Sequence, residues 1–302
     1  MRRILVVGSS NTDMIVRVPR APRPGETVLG GAFAMAAGGK GANQAVAAAR
    51  AGGHVTFIAR VGDDLFGDRA LDGFNQAGLD TRFVLRTPGS SSGIALISVD
   101  EHGENSISVA SGANSLLSVE DIRAAEKAFD GADIVLVELE SPLETVEAVL
   151  RMAGEKRVPV VLNPAPARPL GDGLLGRVAV LTPNEHEAGY LAGDAVTDAA
   201  GAARAARRLR ERGAAAVVIT LGEKGVYASA PGFEGHLPAF EVEAVDSTAA
   251  GDVFNGALAV ALVERLPFPE ALRFAQAAAA ISVTRHGAQP SAPTRAEIEA
   301  FL

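Results

Sequence analysis

The chain has 302 residues, 48% hydrophobic and 21% charged, and a formal net charge of −8. That is enough apolar material for a sizeable core, and the acidic balance argues against a nucleic acid or an anionic membrane as partner, although a local basic site still suits a phosphate. Cysteine and tryptophan are absent and aromatics make up only 5%, which excludes disulfides, zinc–thiolate and iron–sulfur centres, thiol nucleophiles and a stacking platform for single-stranded nucleic acid.

Arg2 and Arg3 precede an apolar run, Ile4–Val7, that is too short for a secretory leader and reads as a first buried strand. Met14–Val18 and Val28–Phe33 read as strands joined by a Pro-rich turn, and a glycine-rich loop then opens a helix over Ala42–Ala51. Strand Val55–Ile58 and helix Leu65–Ala77 follow. Ile94–Val99 and Ser106–Ala110 read as a hairpin in which Ile107 and Val109 alternate with serines, as in a sheet with one wet face. Strands are expected at Ile134–Leu139, Val158–Leu162, Val178–Leu181 and Ala216–Thr220, among helices at Val119–Phe129, Leu143–Ala153 and Ala199–Arg212. The end of the chain is helical, over Gly251–Glu264, Pro269–Thr284 and Arg295–Leu302.

This alternation predicts an α/β fold with a mostly parallel sheet and helices on both faces, because parallel strands need crossover connections. No repeat and no linker divides the chain, so a single domain spanning 1–302 is expected. The irregular β segments, at about 13–34 and 93–111, form either a small separate sheet, serving as lid or oligomer contact, or a pair of surface excursions. The longest apolar stretches, such as Ala257–Val263, fall well below the roughly 18 residues of a membrane span, so a cytoplasmic location is expected.

Only four lysines accompany 24 arginines, and two of the four lie in glycine-rich loops, Gly38-Gly39-Lys40-Gly41 and Gly222-Glu223-Lys224-Gly225. Such loops either cradle an anion with exposed amides or simply turn a strand into a helix; the Walker A spacing is missing. Val245–Asp252 leads small residues into a helix whose free N–H groups suit a phosphoryl group. Asp252 in its first turn is either a proton acceptor or a helix-capping acid. Thr182–Glu187 is either a water-mediated Mg²⁺ site or a capped helix start, and Glu138 and Glu140 end a strand where α/β sheets place ligands. Two spacing matches fail on context. Gly171–Gly176 has the dinucleotide spacing but follows prolines rather than a strand, and Gly89–Gly93 has the nucleophile-elbow spacing but precedes a strand.

In order along the chain, Gly8–Asp13, Gly38–Ala45, Leu139–Pro142, Pro183–Glu185, Thr220–Gly222, Asp246–Asp252 with Asn255-Gly256, and Thr284–Ser291 resemble the ribokinase family of carbohydrate kinases over essentially the whole length. The resemblance implies a three-layer α/β/α kinase fold with a small β lid and ATP-dependent phosphorylation of the ribose 5-hydroxyl. Asn11, Asp13, Gly39, Lys40, Asn43 and Glu140 would bind the sugar, with Asp252 as general base. The amides of Ala249, Ala250, Gly251 and Asp252 would stabilise the transferring phosphoryl group. Asn184, the Thr220–Gly225 loop with Gly222 and Gly225, and Gln276 would meet the nucleotide, and Glu187 would order Mg²⁺ through water. An activating K⁺ would take oxygens from Asp246, Thr248, Ser282, Arg285, Gly287 and Ser291, and the β lid would pair two subunits in a homodimer. Ala249-Ala250-Gly251-Asp252 replaces the Gly-Ala-Gly-Asp of many relatives, and Gln276 is not the residue type expected at its position. The same resemblance admits a kinase for deoxyribose, fructose or a nucleoside; a catalytically dead sugar sensor would more plausibly have lost Asp252 or its glycine-containing loop.

Overall fold

The computed structural model describes residues 2–302. In chain order its elements are β1 (Arg3–Val7), β2 (Asn11–Arg17), β3 (Phe33–Gly38), α1 (Lys40–Arg50), β4 (His54–Gly62), α2 (Leu65–Gln76) and β5 (Asp80–Thr87). The hairpin β6 (Gly93–Val99) and β7 (Asn105–Ala110) precedes α3 (Val119–Ala124), α4 (Glu126–Phe129), β8 (Ile134–Val137), α5 (Leu143–Lys156) and β9 (Val160–Leu162). Then come α6 (Asp172–Leu175), β10 (Val180–Leu181), α7 (Glu185–Ala192), α8 (Ala199–Glu211) and β11 (Val217–Thr220). A second hairpin, β12 (Val226–Ala230) and β13 (Phe233–Leu237), leads to α9 (Ala250–Val263), α10 (Phe268–Val283) and α11 (Arg295–Phe301).

The main sheet has nine strands in the order β13-β12-β11-β10-β9-β8-β1-β4-β5. It is parallel from β5 to β11, and β12 and β13 add an antiparallel edge. Both faces are covered, as a parallel sheet requires. Along β1, Ile4 and Val6 enter one core with α1, α2, α9, α10 and α11, while Leu5 and Val7 enter the other with α3, α4, α5, α7 and α8. The period of two thus divides one apolar run between two layers of helices. The chain leaves β1 in two directions, through β4 and β5 on one side and β8 to β11 on the other. Such a switch leaves a crevice outside the carboxyl ends of β1 and β8.

Four strands form a second sheet, ordered β3-β2-β6-β7, with β2 and β6 parallel and the outer pairs antiparallel. Its first hairpin departs from the expectation: the second strand runs over Phe33–Gly38, not Val28–Phe33, because its small residues pair with β2 up to the glycine loop. The expected dry face of β7 is also not dry in the single chain, since all six of its residues are exposed. The register puts Asp13, Ala95 and Val109 on one face with Ile15, Ile97 and Ile107. Phe33, Met35 and Leu96, on the other face, are exposed as well.

Three strands escape the sequence reading: β5, whose apolar run Phe83–Leu85 is bracketed by arginines, and the hairpin β12–β13, where Ala, Ser and Gly dilute the β signal. The helix expected over Val119–Phe129 divides at Ala125 into α3, opened by a Ser118–Asp121 capping box, and α4.

Helix α9 is buried over ten consecutive residues, Asp252–Ala261, as befits a helix that is apolar nearly all round. It crosses α1 at Gly256, where a Cβ would sit 2.6 Å from the Gln44 carbonyl oxygen and 2.7 Å from the Ala48 nitrogen. This close approach sets the two helices' first turns side by side. Gly256→Val is expected to force them apart, lowering stability by about 1–3 kcal/mol as overpacking does, and to reduce activity disproportionately; urea unfolding beside turnover measurements checks both.

Candidate active site

The crevice at the ends of β1 and β8 is lined by carboxylates held on backbone amides. Glu138 is fully buried, and its carboxylate accepts the Ser9 N–H at 2.6 Å and the Glu140 N–H. Burial, then the neighbouring Glu140, pushes its carboxyl well above the ordinary range. Glu140 accepts the Ser9 hydroxyl and the Lys40 N–H at 3.2 Å, so it sits at the amino end of α1, where the helix favours negative charge. Gly39 caps that helix with φ 88°, and a Cβ there would lie 2.6 Å from the Asn11 nitrogen. Only glycine accommodates both the dihedral and the contact. Asn114, buried, accepts the Ser10 N–H at 2.9 Å and donates to the Asn11 Oδ1 at 2.7 Å, orienting the first residue of β2.

Asp252 stands in the first turn of α9, 7% exposed. Its carboxylate accepts the Asn43 amide at 3.0 Å and the Gln44 amide at 2.9 Å, both from α1. The amide oxygens of Asn43 and Gln44 are buried without donors. Burial raises the Asp252 carboxyl above its ordinary value, against the opposing pull of Lys40 and of the two amides. Just ahead, Ala249 caps α9 in the left-handed region, φ 60°. The first helical bond runs from the Val253 N–H to the Ala249 carbonyl, which leaves the Gly251 and Asp252 N–H groups without helical acceptors. The Ala250 N–H differs from the expectation for a four-amide cradle, because it already donates to the Ser247 carbonyl at 3.2 Å. Gly251 is exposed, its φ is ordinary, and a Cβ there would meet no protein atom within 4 Å. Its small size therefore answers to no contact inside the protein.

Asp13 extends from β2 over Gly38, where any Cβ would strike its carboxylate. Burial, then the charges of Glu140 and Asp252, raise it to about 6, with Lys40 opposing. Lys40 makes no ion pair within 4 Å among the described residues. Burial pulls its ammonium down, but Asp252, Glu140, Glu138 and Glu187 outweigh that and leave it raised. One unpaired ammonium amid acids is free to meet a ligand's hydroxyl or phosphoryl oxygens.

Asn184 and Glu187 form a reciprocal capping box at the start of α7, with both bonds at 2.8 Å. The capping alternative therefore holds for both residues, while one Glu187 oxygen and the Asn184 amide nitrogen carry no bond within the box. Asn184 also bridges Thr220, at the head of a loop whose Gly222 and Gly225 take φ 58° and 97°. Gln276 lies apart from open space: it is buried, its amide donates to the Leu237 and Pro238 carbonyls at 3.2 and 3.1 Å, and only its unpartnered Oε1 remains. Among the other expected cation ligands, hydrogen bonds join the segment before α9 to the end of α10 and the turn after it. The Asp246 carboxylate accepts the Thr248 and Gly287 N–H groups, each at 2.9 Å, and the Val283 carbonyl accepts the Val245 and Asp246 N–H groups. Arg285 N–H meets the Ser282 carbonyl, and Arg285 also pairs with Glu297 at 2.7 Å. The Ser282 and Ser291 hydroxyls donate to the Ala279 and Ala288 carbonyls within their own turns, so their side chains serve local structure first.

A buried carboxylate beside free helix amides, with an unpaired lysine among the acids, is suited to phosphoryl transfer. The sequence matches the pfkB family carbohydrate kinase profile over residues 1–295, and the chain belongs to that family. It is 48% identical to the ribokinase of Haemophilus influenzae, covering 100% of this chain and 99% of that protein. It is 38% identical to the deoxyribokinase of Salmonella typhimurium, covering 99% and 98%. The structure of Arabidopsis thaliana ribokinase complexed with ribose and ATP superposes with a TM-score of 0.93 at 31% identity, covering 99% of this chain and 98% of that one.

Gln44, Asn114 and Asn163 were not assigned to the site from sequence. Gln44 and Asn163 stand beside recognised motifs, after a glycine loop and after a strand, whereas Asn114 has no local signal. The carboxylate crowding has a measurable consequence. A group raised in the folded state stabilises the fold below its ordinary value of 3.8, and that contribution is lost as pH climbs through about 6. Asp13→Asn is therefore expected to raise the urea midpoint most at pH 7–8 and hardly at all near pH 4, whatever it does to activity.

Proposed function

We propose that this chain is an ATP-dependent ribokinase that transfers the γ-phosphoryl group of ATP to the 5-hydroxyl of D-ribose. The observation carrying the reading is the pairing of Asp252, oriented by two amides, with the free N–H groups of its own helix start. In this reading Asn11, Asp13, Gly39, Lys40, Asn43 and Glu140 hold the sugar hydroxyls. Asp252 takes the proton of the 5-hydroxyl as that oxygen bonds to the γ-phosphorus and the bond to ADP breaks. The Ala249, Gly251 and Asp252 amides meet the phosphoryl oxygens, with Ala250 joining once its bond to Ser247 opens. Burial keeps the unprotonated Asp252 costly, and Lys40 offsets that cost.

Mg²⁺ arriving with ATP would neutralise phosphate charge, and the donor set fits an ion held mainly through phosphate and water. No group of three His, Asp or Glu side chains gathers for a metal among the described residues, and Glu187 keeps one carboxylate oxygen outside its cap. A K⁺ ion would suit the 246–248 and 282–291 segments, where donors from Thr248 and Gly287 hold the Asp246 carboxyl below its ordinary value despite its burial. Asn184, Thr220, Gly222 and Gly225 would contact the nucleotide, with Gln276 acting through the loop it pins.

The four-stranded sheet acts in this proposal as a lid on a single kinase domain. Its exposed apolar residues on both faces support pairing of two subunits in a homodimer. No helix among the described residues is long and apolar enough to cross a membrane, which accords with a cytoplasmic enzyme. The 38% identity to a deoxyribokinase makes 2-deoxyribose the second substrate to test.

Coupled ADP-release assays with Mg-ATP are expected to show the highest kcat/KM on D-ribose, lower values on 2-deoxyribose and fructose, and more turnover in K⁺ than in Na⁺; preference for another substrate would discard the ribose assignment. Asp252→Asn is expected to keep sugar binding by calorimetry and lose about 10²–10⁴ or more in turnover. Gly251→Ala separates a ligand role from a packing role. The variant places a better helix former in the first turn and meets no clash, so it is expected to melt no lower than the parent while losing most activity.

A further inference from the structure

A run of buried polar side chains connects the Asp252 carboxylate to the peptide that precedes it. The Gln44 Nε2 donates to Asp252 Oδ1 at 2.9 Å and to Asn163 Oδ1 at 3.1 Å. The Asn163 Nδ2 donates to the Thr182 carbonyl at 3.0 Å, and the Thr182 hydroxyl donates to Asn255 Oδ1 at 2.6 Å. Asn255 Nδ2 then donates to the Gly251 carbonyl at 2.8 Å, and that carbonyl belongs to the same peptide as the Asp252 N–H. The loop thus closes on itself through α1, the ends of β9 and β10, and α9.

Each amide in this loop has one possible orientation. Gln44 faces two oxygen acceptors and must present nitrogen. Asn255 receives a hydroxyl proton on its oxygen and must turn its nitrogen to Gly251. All four side chains are buried, at 0–8% exposure, between helix and sheet where apolar residues normally pack. Buried polar groups are costly when partly satisfied, and their replacement by apolar pairs of similar shape is often neutral for stability. Packing alone therefore gives no reason for them.

We propose that Gln44, Asn163, Thr182 and Asn255 are positioning residues that lock the proton acceptor and the phosphoryl-binding peptide into one unit. Gln44 fixes the carboxylate of Asp252. Thr182, acting through Asn255, fixes the tilt of the Gly251–Asp252 peptide and so the direction of the Asp252 N–H. Asn163 ties the two halves together. A shift of either half is transmitted to the other, so that the carboxylate and the N–H keep their mutual geometry while ligands enter and leave. The proposal rests on the reading of Asp252 as the base.

The test compares Thr182→Val, Thr182→Ser, Gln44→Met and Asp252→Asn in steady-state kinetics against pH, each with a thermal melt. Thr182→Val is expected to lower kcat about 10- to 100-fold with the ribose KM within about threefold, and Thr182→Ser to restore most of the loss. Gln44→Met removes a donor to the carboxylate, so the acid limb of its kcat/KM profile moves to higher pH. If Thr182→Val does not fold, Asn255→Ala carries the same kcat comparison. Turnover within twofold of the parent in Thr182→Val and an unmoved acid limb in Gln44→Met, with Asp252→Asn inactive, would overturn the positioning loop alone. An active Asp252→Asn would instead overturn the assignment of the base.

Discussion

The close crossing of α1 and α9 at Gly256 is the constraint on which the rest of the site depends. Helices normally pack 8–10 Å apart, with side chains filling the space between them. Here α9 meets α1 at Gly256, where an added Cβ would lie 2.6 Å from the Gln44 carbonyl oxygen, 2.7 Å from the Ala48 nitrogen and 2.8 Å from the Ala47 Cβ. At that separation the short amide side chains of Asn43 and Gln44 reach Asp252, and the first turn of each helix opens onto the same crevice. The two helix starts differ in what they hold. The start of α1 already carries Glu140 on its Lys40 amide, whereas the Gly251 and Asp252 amides of α9 remain without partners. One end is thus filled by the protein's own carboxylate, and the other is left for an anion.

Charge shapes the crevice as strongly as packing does. Asp13, Glu138, Glu140, Glu187 and Asp252 converge on one ammonium, Lys40, and burial raises the carboxyl groups of Asp13, Glu138, Glu187 and Asp252. Like charges this close oppose one another, and part of the repulsion is relieved through amides: Ser9 and Glu140 donate to Glu138, and Asn43 and Gln44 donate to Asp252. The remaining excess of acidic groups destabilises the empty fold. Hydroxyl donors brought among these carboxylates would relieve it.

The small sheet extends this logic to its edge. β2 begins at Asn11, whose side chain is oriented by Asn114, and then presents Asp13 toward the crevice. The sheet is therefore anchored at the site by polar bonds and grows outward into apolar residues that the single chain does not bury. Its outermost strand, β7, is exposed throughout. A sheet wetted on both faces gains little from burial, so its packing relies on the anchor and on whatever covers its apolar rows.

Much of this was legible in the amino-acid order, for local reasons. Continuous β-branched runs such as Ile4–Val7 mark strands buried on both faces, Ala-rich stretches mark crossover helices, and their alternation defines the layered fold. The glycine loop at 38–41 announces the site because at Gly39 few other residue types permit such backbone, and the 249–252 segment stands out as a run of small residues leading into a helix. Strands β5, β12 and β13 were hidden because their pairing, not their composition, makes them strands. The start of β3 was misplaced because the turn before it carries apolar residues that pair with nothing. Gln44, Asn163, Thr182 and Asn255 lie 211 residues apart from first to last, and no local pattern distinguishes an amide that caps, one that packs and one that reaches a carboxylate. Sequence alone determined the layers and the motifs, because those follow from backbone preference and short-range spacing. Tertiary structure alone decided which amides remain free, which carboxylates crowd one another and which side chains close the loop around Asp252, because each depends on distances between segments far apart in the chain.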